Sequence, residues 1–468
     1  VGAGIFSVGA QAAAFHAGPA VIISFLIAGI VCGAAVMCYA EFASMIPVAG
    51  SAYTFTYTTV GEIMAWIIGW DLILEMLMAG SVISKYWGVY LNDFMRLMGW
   101  NANTNLTFGS FHIDIAPIII VAFFTTLLVF GTKIGARVDG AMTVLKIAIV
   151  FFVVIVGFFY VKASNFTPFI PPSQPASTVE GSSAVTGVMT QPLWQFATGM
   201  TPSVYGVPGI LSGAALVFFA FIGFDVVATA SEETKNPHKN VPLGIGVGML
   251  LIIVMYMLVA VVTTGMVSYA DLAKQDSPSL ATAFELVGAD WAAKIISFGI
   301  VLGLATVVMV LLLGLTRIVF AMSRDGLLPR GLSKTGKHGT PAALQIVVGA
   351  VVALVAAFFD IGVLSDMVNI GTLSAFTLVA ISIPIMRKKR PDLPRAFKMP
   401  GSPWIPILIA VANFWLMLNL SVLTWIRFVV WLVVGFAIYF GYGYWHARLG
   451  KGDLTETLSA ETDKAVNG

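Results

Sequence analysis

The feature that most restricts this chain is a succession of apolar runs, separated by short polar connections, that continues almost from end to end. They read as spans at 19–44, 62–97, 115–132, 138–161, 209–231, 241–267, 291–322, 341–359, 362–386, 404–424 and 426–446, with a partial one at 1–15. A bilayer core about 30 Å thick asks for about 20 apolar residues of helix. In lipid only helices and closed barrels satisfy their own backbone. These runs are too long for strands and lack the two-residue alternation of a barrel wall, so the expected fold is an all-α integral membrane bundle.

Composition narrows the function classes. Of 468 residues, 58% are hydrophobic and 10% charged, against about 45–50% and about 25% in soluble domains. That excludes a soluble domain on one anchor, a secreted disulfide scaffold and a nucleic-acid binder. The formal net charge of +2 points to no strongly charged partner. Cys32 and Cys38 lie in one run, about 240° apart around a helix, too divergent to bridge. The five histidines (His16, His112, His238, His338 and His446) stand singly, so neither a metal nor a cofactor is expected.

Positive loops tend to stay cytoplasmic. With alternating sides, one face collects about 18 Lys and Arg, including Lys133, Lys235, Arg324 and the Arg387–Lys398 cluster; the other has about five. The connection 163–208 has no Lys or Arg, as an external loop should. Both termini are therefore expected in the cytoplasm, in an inner-membrane protein. Val1 without a charged leader reads as a trimmed N-terminus with no signal peptide, and the tail 451–468 as a loose end.

An ionisable side chain at membrane depth costs about 2.5–3.5 kcal/mol even on the lenient scale, so each needs a partner, a cavity or a function. Asp71 and Glu75, four apart on one face, read as a pair lining a polar cavity. Lys85, beside Tyr86 and Trp87, reads as an interfacial snorkel. Lys146 sits about eight residues into its span, about 12 Å deep, where a snorkel and a buried functional amine are equally open. Glycines four apart (Gly29 and Gly33; Gly244 and Gly248; Gly299 and Gly303) read as internal packing. Asp225 ends the stretch Phe218-Phe219-Ala220-Phe221-Ile222-Gly223-Phe224-Asp225, where a glycine beside bulky aromatics invites a break. Val1-Gly2-Ala3-Gly4-Ile5-Phe6 occupies the corresponding place in the first span. Paired interruptions point to a central site built from discontinuous helices. Freed N–H groups there hold a carboxylate and freed carbonyls an ammonium, so an α-amino acid is the natural occupant.

At these residues the chain resembles the amino acid–polyamine–organocation superfamily, most closely bacterial members of its cationic amino acid transporter family. Four segments carry the resemblance: Gly2 to Phe6; Glu41-Phe42-Ala43-Ser44-Met45-Ile46-Pro47-Val48-Ala49-Gly50-Ser51-Ala52-Tyr53; Phe218 to Asp225 with Glu232-Glu233-Thr234-Lys235-Asn236-Pro237; and Ala321-Met322-Ser323-Arg324-Asp325-Gly326-Leu327-Leu328-Pro329. The resemblance implies a LeuT-type bundle of five plus five helices in inverted repeat with two appended. The implied division is 1–161 for the first repeat, 162–208 for an external loop, 209–386 for the second repeat, 387–446 for the last two helices and 447–468 for a cytoplasmic tail. The upstream half of the first helix is then expected to be missing. The resemblance further implies that Ala3, Gly4 and Ile5 bind the substrate carboxylate, that carbonyls around Phe219, Ala220 and Ile222 bind its amine, and that Glu75 and Asp225 lie near it. Lys146 matches a lysine whose proton takes part in coupling. Around Leu304, Ala305 and Thr306 the seventh full span is expected to offer pocket-facing positions, none of them acidic. Glu41 to Tyr53 and Ser323 to Pro329 read as gate and helix-cap elements, and Glu232 and Glu233 as caps.

The expected function is proton-coupled symport of cationic or small neutral amino acids by alternating access. The partners are the amino acid, protons and lipid, with a small single-span subunit or a second copy of the chain also admitted. A sodium-coupled or exchange-type transporter of amino acids or polyamines is the alternative. A membrane enzyme would show a nucleophile with its base at membrane depth, and a channel a charged ring or repeated filter loop; neither pattern is present in the sequence.

Overall fold

Each apolar run folds into helix because lipid offers its amides and carbonyls no other partner. The structure, a computed structural model, describes residues 4–45, 53, 56–57, 61–100, 104–108, 111–131, 135–178, 187–223, 237–275, 278–336, 340–389, 391, 395 and 397–447. Among these, seven helical stretches are long and apolar enough to cross a membrane, and four apolar helices are shorter.

The first helix, α1, covers residues 4–17 and is π-helical at both ends, Gly4–Val8 and Ala13–Ala17. Gly18, at φ 60°, turns the chain into α2, Val21–Met45. Then follow α3, Glu62–Leu97, α4, Ile115–Phe130, and α5, Gly135–Phe158. After a long connection come α6, Gly206–Val217, α7, Pro237–Met266, and α8, Asp290–Arg324. The bundle ends with α9, Ala342–Phe358, α10, Ile361–Lys389, α11, Trp404–Leu418, and α12, Val422–Ile438.

The buried helix α3 organises the bundle, packing on α8 and α10, while α2 packs on α7 and α6, α5 on α8 and α7, and α4 on α9. Trp70 and Trp431 bind α3 to α12 reciprocally: each indole N–H donates to the other's carbonyl, at 2.9 and 3.3 Å, and the rings stack at 4.4 Å. Among the described residues one large apolar core results, with a small separate cluster of Ala176, Val204 and Tyr205. Phe123, Val144, Leu250 and Val433 are left on the outer faces, where lipid receives them.

The structure differs from the sequence reading in several places. A short hairpin pairs Asn105–Phe108 with Phe111–Asp114, and short helices Leu193–Thr198, Tyr269–Ala273 and Leu280–Leu286 occupy the connections. The last boundary falls earlier than expected, because Ser421 caps α12 by accepting from the Thr424 N–H, which fixes a helix start. Lys85 is no snorkel. Its side chain is 12% exposed, faces Asp114 at 3.9 Å and donates to the Ala356 carbonyl at 3.1 Å, joining α3 to the start of α4 and the end of α9. The glycine pairs also divide. Gly29 packs on Ile253, and Gly299 and Gly303 receive Ile149 and Lys146, whereas Gly244 and Gly248 have nothing within 4 Å where a side chain would lie.

Candidate functional site

The helix α6 stops where the sequence sets a glycine beside aromatics. A 3-10 turn carries Phe218–Phe221, Ile222 is extended at φ −70° and ψ 147°, and Gly223 follows at φ 110°, a backbone conformation costly for any residue with a Cβ. Twelve α-helical and four 3-10 residues rise about 26 Å, less than the hydrocarbon thickness.

The opening of α1 lies directly against it. A Cβ on Gly4 would strike the backbone and Cβ of Ala220, so glycine is what lets the two segments touch. Ile5 and Phe6 are buried beside this contact. The carbonyls loosened here find side-chain donors: Tyr256 of α7 donates to the Ala220 carbonyl at 2.8 Å, and Tyr90 of α3 to the Phe6 carbonyl at 2.6 Å. The Phe219 carbonyl accepts from the Ile222 N–H at 3.3 Å. A narrow recess leads away from this meeting point, lined among others by Ile5, Phe6, Phe25, Tyr256, Val259 and Thr263. Its wall is neutral, and the Thr263 hydroxyl is turned back to the Val259 carbonyl at 2.8 Å.

The structure thus brings Gly4, Ile5, Phe219, Ala220 and Ile222 into one neighbourhood. Lys146 and Leu304 form a second. Lys146 is 6% exposed, with its stem across Gly303 of α8, so the side chain is buried rather than extended to the membrane surface. Leu304 is buried next to Gly303, whose carbonyl accepts from Thr306 at 3.0 Å. Asp71 and Glu75 are fully buried on α3. Asp71 accepts from Ser374 at 2.7 Å and sits at the packed contact of α3 with α10, and neither carboxylate lines the recess. Ala3, Asp225, Glu232 and Glu233 lie outside the described residues.

Two motif segments meet at the Lys/Arg-rich end. Glu41, fully buried, accepts from Arg387 at 2.9 and 2.6 Å and from the Met399 N–H at 2.8 Å, with Arg395 at 3.6 Å. Tyr53 donates to Asp325 at 2.9 Å, and Ser323 to the Pro329 carbonyl at 2.6 Å. At the other end α1 is fastened to α6. Tyr205 donates through its hydroxyl to the Ala14 carbonyl and through its N–H to the His16 carbonyl, both at 2.7 Å, and the His16 ring pairs with Ser212 at 3.0 Å. The sequence reading missed Tyr90, Tyr205 and Tyr256. The available signal was a phenol within or beside an apolar run, since a buried hydroxyl needs a partner.

A helical membrane bundle in which the end of α6 presses against the start of α1, with a neutral recess beside Ile5 and Phe6 between α1, α2 and α7, has the build of a membrane transporter. The chain belongs to the amino acid permease family, whose profile matches residues 1–442, within the amino acid–polyamine–organocation superfamily. The branched-chain amino acid permease BcaP of Bacillus subtilis is 42% identical over 459 residues, covering 96% of this chain and 91% of the relative. The methylthioribose transporter of the same organism is 39% identical over 457 residues, covering 96% and 92%. Cationic amino acid transporter 3, mitochondrial, of Arabidopsis thaliana is 36% identical over 394 residues, covering 83% and 60%. These are transporters, which bears out the reading of a permease over an enzyme.

Proposed function

We propose that the protein is a proton-coupled amino acid symporter of the inner membrane, working by alternating access in a LeuT-type arrangement with both termini cytoplasmic. The observation that carries this reading is the contact of Gly4 with Ala220 at the interruption of α6. Amides at Ala3, Gly4 and Ile5 take the substrate carboxylate, and carbonyls at Phe219, Ala220 and Ile222 take its ammonium. Glu75, Asp225 and Leu304 border the site. Lys146, buried with its stem against Gly303 of α8, is the residue whose proton transfer is coupled to rocking of the helices.

Small neutral side chains are favoured over cationic ones, which are also admitted. The recess beside Ile5 offers no carboxylate, and the branched-chain permease is among the relatives. Glu75 is the residue through which a cationic substrate is read. Uptake of labelled amino acids into proteoliposomes of the full-length protein, with imposed proton or sodium gradients, tests the reading. A proton gradient should drive accumulation, and Lys146→Ala should reduce it to equilibration. Sodium-driven accumulation would replace this mechanism with its alternative. Glu75→Gln should weaken arginine uptake more than alanine uptake, and equal uptake by variant and parent would remove Glu75 from the site.

A further inference from the structure

We propose that Tyr256 is a positioning residue that fixes the ammonium end of the site by holding the Ala220 carbonyl; this rests on the amino acid site proposed above. Among the described residues no backbone N–H reaches the Ala220 carbonyl, and a carbonyl keeps two acceptor directions. At Ala220 one of these is filled by the Tyr256 hydroxyl at 2.8 Å. The phenol is fully buried and its ring is wedged, edge-on to Phe25 at 5.9 Å and tilted on Phe221 at 5.1 Å, with Phe25 and Phe221 themselves 6.3 Å apart. These rings come from α2, the broken stretch of α6, and α7, so the hydroxyl is held from three sides.

A neutral phenol on one lone pair orients the oxygen and leaves the other for a charged donor, whose bond is the stronger. Without the hydroxyl the carbonyl is buried with an unmet acceptor and is free to turn from the substrate. Tyr90 supplies the internal control. It makes the same kind of bond, 2.6 Å to the Phe6 carbonyl, at a group to which no substrate contact is assigned.

The experiment uses the full chain in proteoliposomes, with labelled L-leucine competed by L-leucine, by L-arginine and by 4-methylpentanoate, which is leucine without its amine. Saturable uptake by the parent protein is read first and tests the amino acid site separately. Tyr256→Phe should raise the half-saturating leucine concentration about tenfold while moving inhibition by 4-methylpentanoate less than about twofold. Tyr90→Phe should show no such selectivity for the amine. Phe25→Leu loosens the wedge but keeps the hydroxyl, and should give the same amine-selective loss at about threefold. Equal weakening of both ligands in Tyr256→Phe, or unchanged leucine affinity, overturns the proposal. Should Tyr256→Phe fail to fold, Phe25→Leu decides alone by the same criterion.

Discussion

The two ends of the bundle are closed by different chemistry. At the Lys/Arg-rich end a fully buried carboxylate, Glu41, gathers Arg387, Arg395 and the Met399 amide. At the opposite end the contacts between α1 and α6 are neutral: Tyr205 to the Ala14 and His16 backbone, and His16 to Ser212. Charges taken out of water bind strongly only while every partner stays in place, so the ionic end behaves as a latch that is whole or broken. Neutral bonds to backbone, each worth about 1 kcal/mol net, are replaced one at a time.

Breaking the latch should have the largest effect. Glu41→Gln leaves Arg387 and Arg395 facing a neutral amide, and should lower stability by about 3–5 kcal/mol, read as a fall in Tm in detergent. A change no larger than that of a neutral contact would erase the distinction between the ends. Tyr205→Phe, which removes one hydroxyl bond at the neutral end, should cost about 0.5–1.5 kcal/mol in the same assay.

The smallest effect belongs to the surface. Hydrogen bonds from Lys274 and Ser268 hold the Asp271 carboxyl below its ordinary value. A depressed carboxylate contributes stability above its unfolded pKa and loses it as pH falls through the folded one. Asp271→Asn should therefore differ from the parent by less than about 1 kcal/mol near neutrality, and the difference should vanish in acid. A gap that widens in acid would reverse the sign of this contribution.

Much of this was legible because lipid makes helix the default: the limits of α3, read as 62–97, are those observed. The end of the described part of α6 was legible too, since Gly223, at φ 110°, stands among aromatics where a continuous helix gains nothing from glycine. The partners of buried charges were not. Lys85 reads as a snorkel until Ala356, 271 positions away, is brought to it, and no local pattern links Glu41 to Arg387. Tyr256 shows the same limit, for its role depends on a carbonyl that only the interruption releases. The boundary between α11 and α12 was misplaced because Ser421 lies inside a run apolar enough to hide a cap.

The central claim is that α1 and the broken α6 together hold both charged ends of a small zwitterion. The most direct measurement is competition of labelled amino acid uptake, in vesicles containing the full-length protein, by matched ligands with and without the α-amine or the α-carboxylate. The account predicts that the intact amino acid competes and that removal of either group weakens competition at least about tenfold. Equal competition by the analogues would contradict it.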